Sequence, residues 1–432
     1  MASKLIREAH DFPLIFIDEG YYSRKSWNRP SESQRLLVDG KGLAMSHLVF
    51  SLAGEGRGHA VRVRTLLERL KHEHRITVFA PDQAFEFLSP LYPRARDRVQ
   101  IERIPGLRFH YTNSRMDVSR SIWEGLKYAA VTMPSIVRKI RSFIDREQPD
   151  LAIIDFEPAL SRAAFKSGLP TMILDHQHVL RACDFSILPR DLQWHAASMS
   201  WAVWAFYAQA ERTLASSFYT PPLKPEFSFV KQVGPLLRRE VTERRTSREG
   251  FVLSYLRPQT PAATLDVLKS LPCQVKVYGL GEQPSQGNLV FSPIHEMRFL
   301  DDLASCRAVI SAAGNQLCGE SLYLGKPMLT LPESQHFEQR INAWFLREMG
   351  AGDTCELESF STKKLLQFWE QLPEFEQAAE RYRGKNDGTP IVLAEIDDML
   401  RKHAPAVRLP DPQWPNRNLA TAKTPAKPQL ST

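Results

Sequence analysis

Cysteine is scarce in this sequence, with five residues among 432, and none of them forms a C-x-x-C pair. Disulfide frameworks and zinc sites both need clustered cysteines, so this spacing excludes either as the organising feature of the fold. We interpret the cysteines as reduced thiols of a cytoplasmic protein. They are Cys183, Cys273, Cys306, Cys318 and Cys355.

The sequence also lacks an apolar run long enough to cross a bilayer, and the short apolar stretch near its N-terminus is a poor secretory signal. We therefore expect a cytoplasmic protein and leave open a position at the inner face of the membrane, with peripheral membrane contact. The net charge of +7 favours anionic partners such as nucleotide or lipid phosphates. No nucleic-acid-binding module accompanies that charge, so we expect no nucleic-acid partner.

Short apolar runs alternate with helical periods along most of the chain, which predicts βαβ units and parallel sheets. A chain of 432 residues is too long for one ordinary core. The predicted fold class is α/β, with two tandem Rossmann-like domains. The predicted segments are an N-terminal extension at 1–45, a first domain at 46–220, a linker at 221–248, a second domain at 249–403 and a disordered tail at 404–432.

A glycine-rich loop, containing Gly54, Gly56 and Gly58, follows the first predicted strand and precedes a helix. Glycines at such a turn let a ligand approach the backbone. The loop has neither the G-K-[ST] of a P-loop nor the third glycine of a dinucleotide fingerprint, so ATP hydrolysis and NAD chemistry lose support. His59 ends the loop at the ligand-binding edge of a parallel sheet, where an imidazole suits a general base.

Polar side chains follow two further predicted strands of the first half. Asp155 and Glu157 follow one strand, and they are candidates to orient an acceptor or to assist His59, with a structural role kept as an equal alternative. His176 and His178 follow the next strand with a spacing that permits metal binding, but no third ligand is evident. We interpret this pair as lining a cleft.

A second group of glycine, amide and acidic residues lies between positions 311 and 343. A predicted strand enters Gly314, and the following helix carries Glu320. A glycine before a helix N-terminus suits a diphosphate, and a carboxylate suits the two hydroxyls of a ribose. Polar side chains suited to a sugar ring cluster before the next helix: Gln335, His336, Glu338, Gln339 and Asn342.

The two motifs together resemble the GT-B glycosyltransferases, which include the UDP-glycosyltransferases and the bacterial enzymes that add N-acetylglucosamine to a lipid intermediate. The second motif is the more specific, and the loop GEGRGHAVR is most similar to uncharacterised prokaryotic members of the superfamily. The matching positions are Gly314, Glu320, Gly325, Pro327, Pro332, Glu338, Gln339, Asn342 and Ala343.

The resemblance implies two domains that face each other across a cleft and move a sugar from a nucleoside-diphosphate donor, expected to be UDP-linked, to a hydroxyl acceptor with inversion. It implies that Glu320 binds the ribose, that Gly314 and Asn315 lie near the diphosphate, and that His59 is the catalytic base. Neither a cofactor nor a metal ion is implied. A lipid-linked acceptor and a cell-envelope glycan both stay open. The residues expected on the acceptor side are Gly54, Gly56, Gly58, Glu157 and His176. The implied sugar-binding residues are Gln335, His336, Glu338 and Gln339.

The sequence departs from the family pattern at two places. Arg62 stands where a proline is usual, and Ala312 lies in the segment where a histidine often contacts the pyrophosphate. Another basic group must replace that contact, and we expect Arg257, with Arg62 and Arg57 as alternatives. A nucleotide-sugar 2-epimerase and a non-catalytic protein that binds a nucleotide sugar or a lipid remain as alternative functions.

A predicted helix near positions 194–207 is crowded with aromatic residues. We favour an internal helix, and keep as the alternative a surface that contacts a membrane or a lipid-linked acceptor. The aromatic residues are Trp194, Trp201, Trp204, Phe206 and Tyr207.

Overall fold

The computed structural model describes residues 45–54, 57–93, 98–106, 111–112, 115–116 and 128–403. The predicted extension up to residue 44, the predicted tail at 404–432 and Gly56 of the glycine loop lie outside these residues. Within them the α/β prediction is confirmed, because each half of the chain forms its own parallel sheet with helices between the strands.

The first half of the described chain contains a seven-stranded parallel sheet and a short antiparallel pair of strands. The sheet strands are β1 (His47–Leu52), β2 (Arg75–Pro81), β3 (Val99–Ile104), β6 (Leu151–Asp155), β7 (Thr171–Asp175), β8 (Arg212–Ser216) and β9 (Lys231–Val233), and the separate pair is β4 (Tyr111–Thr112) and β5 (Arg115–Met116). The order in the sheet is β3-β2-β1-β6-β7-β8-β9. The strand order therefore reverses between β1 and β6, and a crevice opens there at the carboxyl ends of the strands.

Helices cover both faces of this sheet, and its central strands are therefore buried at every position and mostly apolar. The helices are α1 (Arg57–Leu70), α2 (Asp82–Leu88), α3 (Met133–Glu147), α4 (Pro158–Ser167), α5 (His178–Ala182) and α6 (Arg190–Phe206). In α1 the apolar face, which includes Val63, Leu66 and Leu67, packs into the core. This packing fixes the start of α1, with His59, beside the end of β6.

The second half contains a six-stranded parallel sheet in the order β12-β11-β10-β13-β14-β15. Its strands are β10 (Phe251–Tyr255), β11 (Gln274–Tyr278), β12 (Leu289–Ser292), β13 (Ala308–Ser311), β14 (Met328–Thr330) and β15 (Gly352–Thr354). Its helices are α7 (Arg239–Thr242), α8 (Ala263–Leu268), α9 (Glu296–Ser305), α10 (Asn315–Tyr323), α11 (Phe337–Glu348), α12 (Thr362–Glu370), α13 (Leu372–Glu380) and α14 (Thr389–His403). The order reverses between β10 and β13, so α10 starts at the switch point of this second sheet.

Two segments belong to the first domain although the sequence assigned them elsewhere. β9 lies inside the predicted linker at 221–248, and it pairs with β8 as the last strand of the first sheet. α14, predicted within the second domain at 249–403, packs Val392, Ile396 and Met399 into the core around β1 and α1. α14 has an apolar face that this core buries, whereas β9 joins the sheet through its backbone pairing with β8.

The aromatic helix α6 is not internal, in contrast to the favoured expectation. It buries Leu192 and Val203, but Trp194 is 69% exposed and Trp201 is 64% exposed. These tryptophans are therefore exposed, and the alternative of a surface that contacts a membrane or a lipid-linked acceptor stays a prediction.

Candidate active site

The glycine loop ends where β1 meets α1, at the switch point of the first sheet. Gly54 packs closely on Pro81, since an added Cβ would come within 3.0 Å of the proline ring. Gly58 faces the second domain, because a Cβ there would lie 4.0 Å from the Cβ of Gln316 in α10. The loop is thus packed on one side and leaves His59, in the first turn of α1, at the mouth of the sheet.

His59 forms a hydrogen-bonded pair with Asp155, the last residue of β6. Nδ1 of His59 lies 2.8 Å from Oδ1 of Asp155. The carboxylate side chain is 3% exposed and the imidazole is 15% exposed, so the histidine forms the accessible end of the pair. When Nδ1–H donates to Asp155, Nε2 on the other side of the ring keeps its lone pair. The arrangement can therefore accept a proton at Nε2.

Arg62, one turn further along α1, binds the same carboxylate with two nitrogen atoms. Its Nε donates to Oδ2 of Asp155 at 2.9 Å, and a terminal nitrogen donates to Oδ1 at 2.8 Å. That terminal nitrogen lies 3.0 Å from Nδ1 of His59. Burial alone would raise the pKa of Asp155, but the charges of Arg62 and His59 outweigh it and the pKa is lowered. Asp155 is therefore an ionised carboxylate that Arg62 holds in a fixed orientation.

From the sequence, Arg62 was predicted only as a possible contact of the diphosphate. In the structure it binds Asp155 instead. The residue is 3% exposed and lies against His59 and Asp155. The sequence does contain a sign of this position. Arg62 follows His59 by three residues in a helix, and residues at that spacing lie on the same helix face. The family's proline could not make this ion pair.

A second aspartate and histidine pair stands beside the first. Asp175 is the last residue of β7, and its Oδ2 lies 2.9 Å from Nδ1 of His178. Tyr207 donates its hydroxyl hydrogen to Asp175 and accepts a hydrogen bond of 2.7 Å from the backbone N–H of Phe156. His178 was predicted to line the cleft, and neither Asp175 nor Tyr207 was predicted to belong to the site. The available signal was that β7 ends in aspartate, as β6 does.

His176, predicted for the acceptor side, is buried and contacts the second domain. Its Nδ1 lies 3.0 Å from the carbonyl oxygen of Ser216, and its Nε2 lies 3.2 Å from Oδ1 of Asn342 in α11. Burial lowers the pKa of His176. The residue therefore joins the two domains behind the cleft mouth.

Glu157, also predicted for the acceptor side, caps the N-terminus of α4. Its carboxylate accepts hydrogen bonds from the backbone N–H groups of Ala159 at 2.7 Å and Leu160 at 2.8 Å. The residue is 3% exposed, and burial raises the pKa of its carboxyl group. The side chain is thus occupied by the helix end, which Pro158 begins.

Glu157→Ala should lower the free energy of unfolding by about 1 kcal/mol, because the first turn of α4 loses its cap. Urea denaturation of the variant and of wild type measures this change. Glu157→Gln is the matched control, since its amide oxygen keeps one acceptor for the helix end. If Glu157 instead held the acceptor, both variants would raise the acceptor KM while leaving stability unchanged.

In the second domain, Glu320 is buried at the end of a chain of ion pairs. Its Oε1 accepts hydrogen bonds from Arg238 at 2.8 Å and from Gln316 at 3.0 Å. Arg238 also binds Glu296 at 2.5 Å, and Glu296 in turn pairs with Arg64 of α1. The chain thus connects the predicted ribose-binding carboxylate to the helix that carries His59. Among the described residues, Oε2 of Glu320 has no hydrogen-bond partner.

The N-terminus of α10 lies at the switch point of the second sheet. Gly314 is its N-cap, no side chain caps the helix, and an added Cβ at Gly314 would meet no heavy atom within 4 Å. Asn315 is turned away from this open space. It accepts a hydrogen bond from the backbone of Phe218 and donates one to Ser216, both at 3.3 Å. Gly314 therefore borders a free helix end, while Asn315 joins the domains.

The predicted sugar-binding residues around the start of α11 differ in exposure and in hydrogen bonding. Gln335 is exposed, and His336 caps α11 by accepting a hydrogen bond from the backbone of Gln339. The side-chain oxygen of Gln339 accepts from the backbone N–H of Glu333 at 3.1 Å. Its Nε2 is a buried donor without a partner among the described residues. Gln339 thus offers one free hydrogen-bond donor.

Glu338 contributes a half-buried carboxylate that has no hydrogen-bond partner in the described part of the chain. Burial would raise its pKa, but the nearby imidazoles of His176, His336 and His59 outweigh that effect and the pKa is lowered. Arg257, at the carboxyl end of β10, donates to Glu333 at 3.1 Å and is 38% exposed. The first turn of α11 therefore presents an anion towards the pair of His59 and Asp155.

Within the described ranges, no three histidine, cysteine or acidic side chains are grouped so that they could bind a metal ion. No helix there has the length and apolar character needed to cross a membrane.

The model of glycosyl transferase family 1 matches residues 46–373, which is well over half of the sequence. The chain belongs to glycosyl transferase family 1. This confirms the resemblance inferred from its two motifs and identifies the protein as a glycosyltransferase. A curated relative, an uncharacterised glycosyltransferase of Methanosarcina acetivorans, is 26% identical over 334 residues, which span 71% of this chain and 83% of the relative.

Solved structures show that this glycosyltransferase has the GT-B fold. The calicheamicin glycosyltransferase CalG4 aligns with a TM-score of 0.59 at 15% identity, over 84% of this chain and 100% of its own. UGT2 of Phytolacca americana, complexed with UDP-2-fluoro-glucose and pterostilbene, aligns with a TM-score of 0.61 at 14% identity, over 82% of this chain and 99% of its own. LpCGTa in complex with UDP aligns with a TM-score of 0.58 at 17% identity, over 84% of this chain and 100% of its own. The predicted pair of facing Rossmann-like domains is thereby confirmed.

Proposed function

We propose that this glycosyltransferase moves a sugar from a UDP-linked donor to a hydroxyl acceptor and inverts the anomeric carbon. The observation that carries the proposal is the position of His59. A buried carboxylate holds this imidazole at the switch point of the first sheet, and α1 contacts α10 of the second sheet through Gly58 and Gln316. A proton acceptor of one domain is thus next to the helix end of the other.

In the proposed mechanism, Nε2 of His59 removes the proton of the acceptor hydroxyl while that oxygen attacks the anomeric carbon of the donor. The bond from that carbon to the diphosphate oxygen breaks, and the electron pair leaves with the nucleoside diphosphate. Because the acceptor attacks from the side opposite to the leaving group, the configuration inverts. Asp155 stabilises the imidazolium that forms, and Arg62 keeps the carboxylate aimed at Nδ1.

The donor is proposed to lie along the second domain. The uncapped N-terminus of α10 at Gly314 suits the diphosphate, because its backbone N–H groups and the helix dipole favour negative charge. Oε2 of Glu320 is left for the ribose hydroxyls. Glu338 and the free Nε2 of Gln339 suit the sugar hydroxyls. Arg257 stands at the same edge of the second sheet and can contribute positive charge. Uridine is proposed because two structural neighbours are complexes with UDP or a UDP-sugar.

A thermal-unfolding titration with UDP, GDP, TDP and their sugar conjugates tests the donor site. We expect UDP to stabilise wild type by about 2.7 kcal/mol when its concentration is a hundred times Kd. Glu320→Ala should lose this stabilisation, because the ribose loses its carboxylate. Each variant is compared with its own ligand-free form, since the substitution also removes a partner of Arg238.

Glu296→Ala is the matched control for this titration. It interrupts the same chain of ion pairs at Arg238 but removes no oxygen proposed to touch the donor. UDP should stabilise it as it stabilises wild type. No response of wild type to any nucleotide would contradict the donor site. Accumulation of an epimer when the UDP-sugar is incubated without acceptor would favour the 2-epimerase alternative.

A further inference from the structure

The exposed side of α6 carries three tryptophans. Trp194 is 69% exposed, Trp201 is 64% exposed and Trp204 is 39% exposed. The rings of Trp201 and Trp204 lie 6.2 Å apart, measured between centroids. Several large aromatic rings exposed on one helix are characteristic of a contact surface, because indole combines a large apolar area with a polar N–H group.

A basic cavity of about 230 Å³ lies between α3 and α4. Its apolar lining consists of Met133, Pro134 and Val137. Its charged lining consists of Arg138, Arg141, Arg162 and Lys166. Among the described residues, none of these four has a carboxylate oxygen within 4.0 Å. Arg162 interacts electrostatically with Glu157 and donates to backbone carbonyl oxygens, whereas Arg138, Arg141 and Lys166 have no ion-pair partner within the described ranges. These three cations attract an anion, and the apolar part of the lining suits an anion that carries hydrocarbon.

Arg162 joins the cavity to the tryptophan-bearing helix. Its guanidinium donates to the carbonyl oxygen of Phe206 at 2.8 Å and to that of Ala205 at 2.6 Å. These are the last residues of α6, directly after Trp204, and a cation there is favourable for the helix dipole. On the other side, Val131 is 67% exposed and lies two residues before Met133. The basic cavity therefore borders the C-terminal end of the helix that carries the tryptophans.

We propose that this tryptophan–arginine surface binds an anionic phospholipid bilayer. The surface is defined by Trp194, Trp201, Trp204, Arg138, Arg141, Arg162 and Lys166. A bilayer of this kind supplies both chemistries at once, since phosphates at its surface match the cations of the cavity and its interfacial layer accommodates indole rings. The surface adjoins the active site, because Phe206 stacks on Phe156, next to Asp155, with 4.6 Å between ring centroids.

Sedimentation with vesicles tests the proposal on the full chain. We expect wild type to sediment with phosphatidylcholine vesicles that contain phosphatidylglycerol, and much less with phosphatidylcholine alone. Arg138→Glu combined with Arg141→Glu should weaken this binding by about tenfold or more, because each cation near an anionic surface contributes of the order of 1 kcal/mol. Trp194→Ser combined with Trp201→Ser should weaken it by a comparable factor.

Matched controls separate this surface from general charge and apolarity. Lys363→Glu combined with Lys364→Glu makes the same change in net charge on α12, and Ile294→Ser combined with Leu366→Ser removes exposed apolar side chains of the second domain. Both controls should sediment like wild type, and all variants should unfold at the wild-type temperature. Failure of wild type to sediment, or equal losses in variants and controls, would overturn the proposal. So would release by inorganic phosphate at constant ionic strength, which would assign the cavity to free phosphate.

Discussion

His59→Ala should lower kcat for sugar transfer by about 10²- to 10⁴-fold, the range that a general base usually contributes. The reason is geometric. His59 carries the accessible imidazole at the switch point of the first sheet, and Asp155 fixes its Nδ1 at 2.8 Å. The affinity for UDP should stay close to the wild-type value, because the proposed nucleotide contacts all lie in the second domain. The rate of nucleoside-diphosphate release with a saturating acceptor measures kcat, and the UDP titration measures affinity.

Asp155→Asn provides the companion measurement. Asparagine keeps the shape of the side chain but cannot stabilise an imidazolium, so kcat should fall while His59 is still present. His178→Ala is a useful comparison, because it removes the neighbouring imidazole, held by Asp175, without touching the first pair. An enzyme that retains full turnover after His59→Ala would remove His59 from the mechanism.

Arg62→Met should lower the free energy of unfolding at neutral pH by about 3–5 kcal/mol, the usual cost of leaving one partner of a buried ion pair alone. Arg62 and Asp155 are 3% and 2% exposed, and two hydrogen bonds of 2.9 Å and 2.8 Å join them. Urea denaturation, followed by intrinsic tryptophan fluorescence, measures the loss. The double variant with Asp155→Asn should be less destabilised than the sum of the two single variants, because the two residues interact directly.

The difference in the free energy of unfolding between wild type and Arg62→Met should decrease as the pH falls. The pKa of Asp155 is lowered in the folded protein despite its burial, mainly by Arg62. A lowered folded pKa contributes stability above the unfolded value, near 3.9, and this contribution is lost as pH falls through the folded pKa. The difference between wild type and Arg62→Met should therefore be full at neutral pH and shrink in strong acid.

Arg64→Met, on the same helix, is the matched control. Its partner Glu296 has a side chain that is 30% exposed, so solvent screens the pair and the loss should stay near 1 kcal/mol or below. If Arg62→Met and Arg64→Met lowered the free energy of unfolding equally, the larger contribution assigned to the buried pair would be wrong.

The sequence predicts the two-sheet architecture well because parallel strands buried on both faces form short, continuous apolar runs. It also locates His59, Asp155, Gly314 and Glu320 at the carboxyl ends of strands or in the helices that follow them. It does not show which of these side chains are already occupied. Glu157 looks like a free acid until α4 is seen to need a cap, and that distinction depends on atomic positions.

Contacts between segments that are far apart in the chain could not be predicted from the sequence either. Arg238 lies 82 residues before Glu320 and was grouped with a charged linker, although it is buried against that carboxylate. No local period reports such a pairing. The tryptophans of α6 show the opposite error. An aromatic-rich helix suggests a buried position, but which of its side chains are exposed depends on the elements that pack against it.

The return of α14 to the first domain has a consequence for how the protein is made. Val392, Ile396 and Met399 complete a core whose other members lie mainly between Leu48 and Leu236. During translation the first domain therefore cannot close its core when its own strands have emerged from the ribosome. It must wait until the whole second domain has been synthesised, so the two halves are expected to reach their native state together.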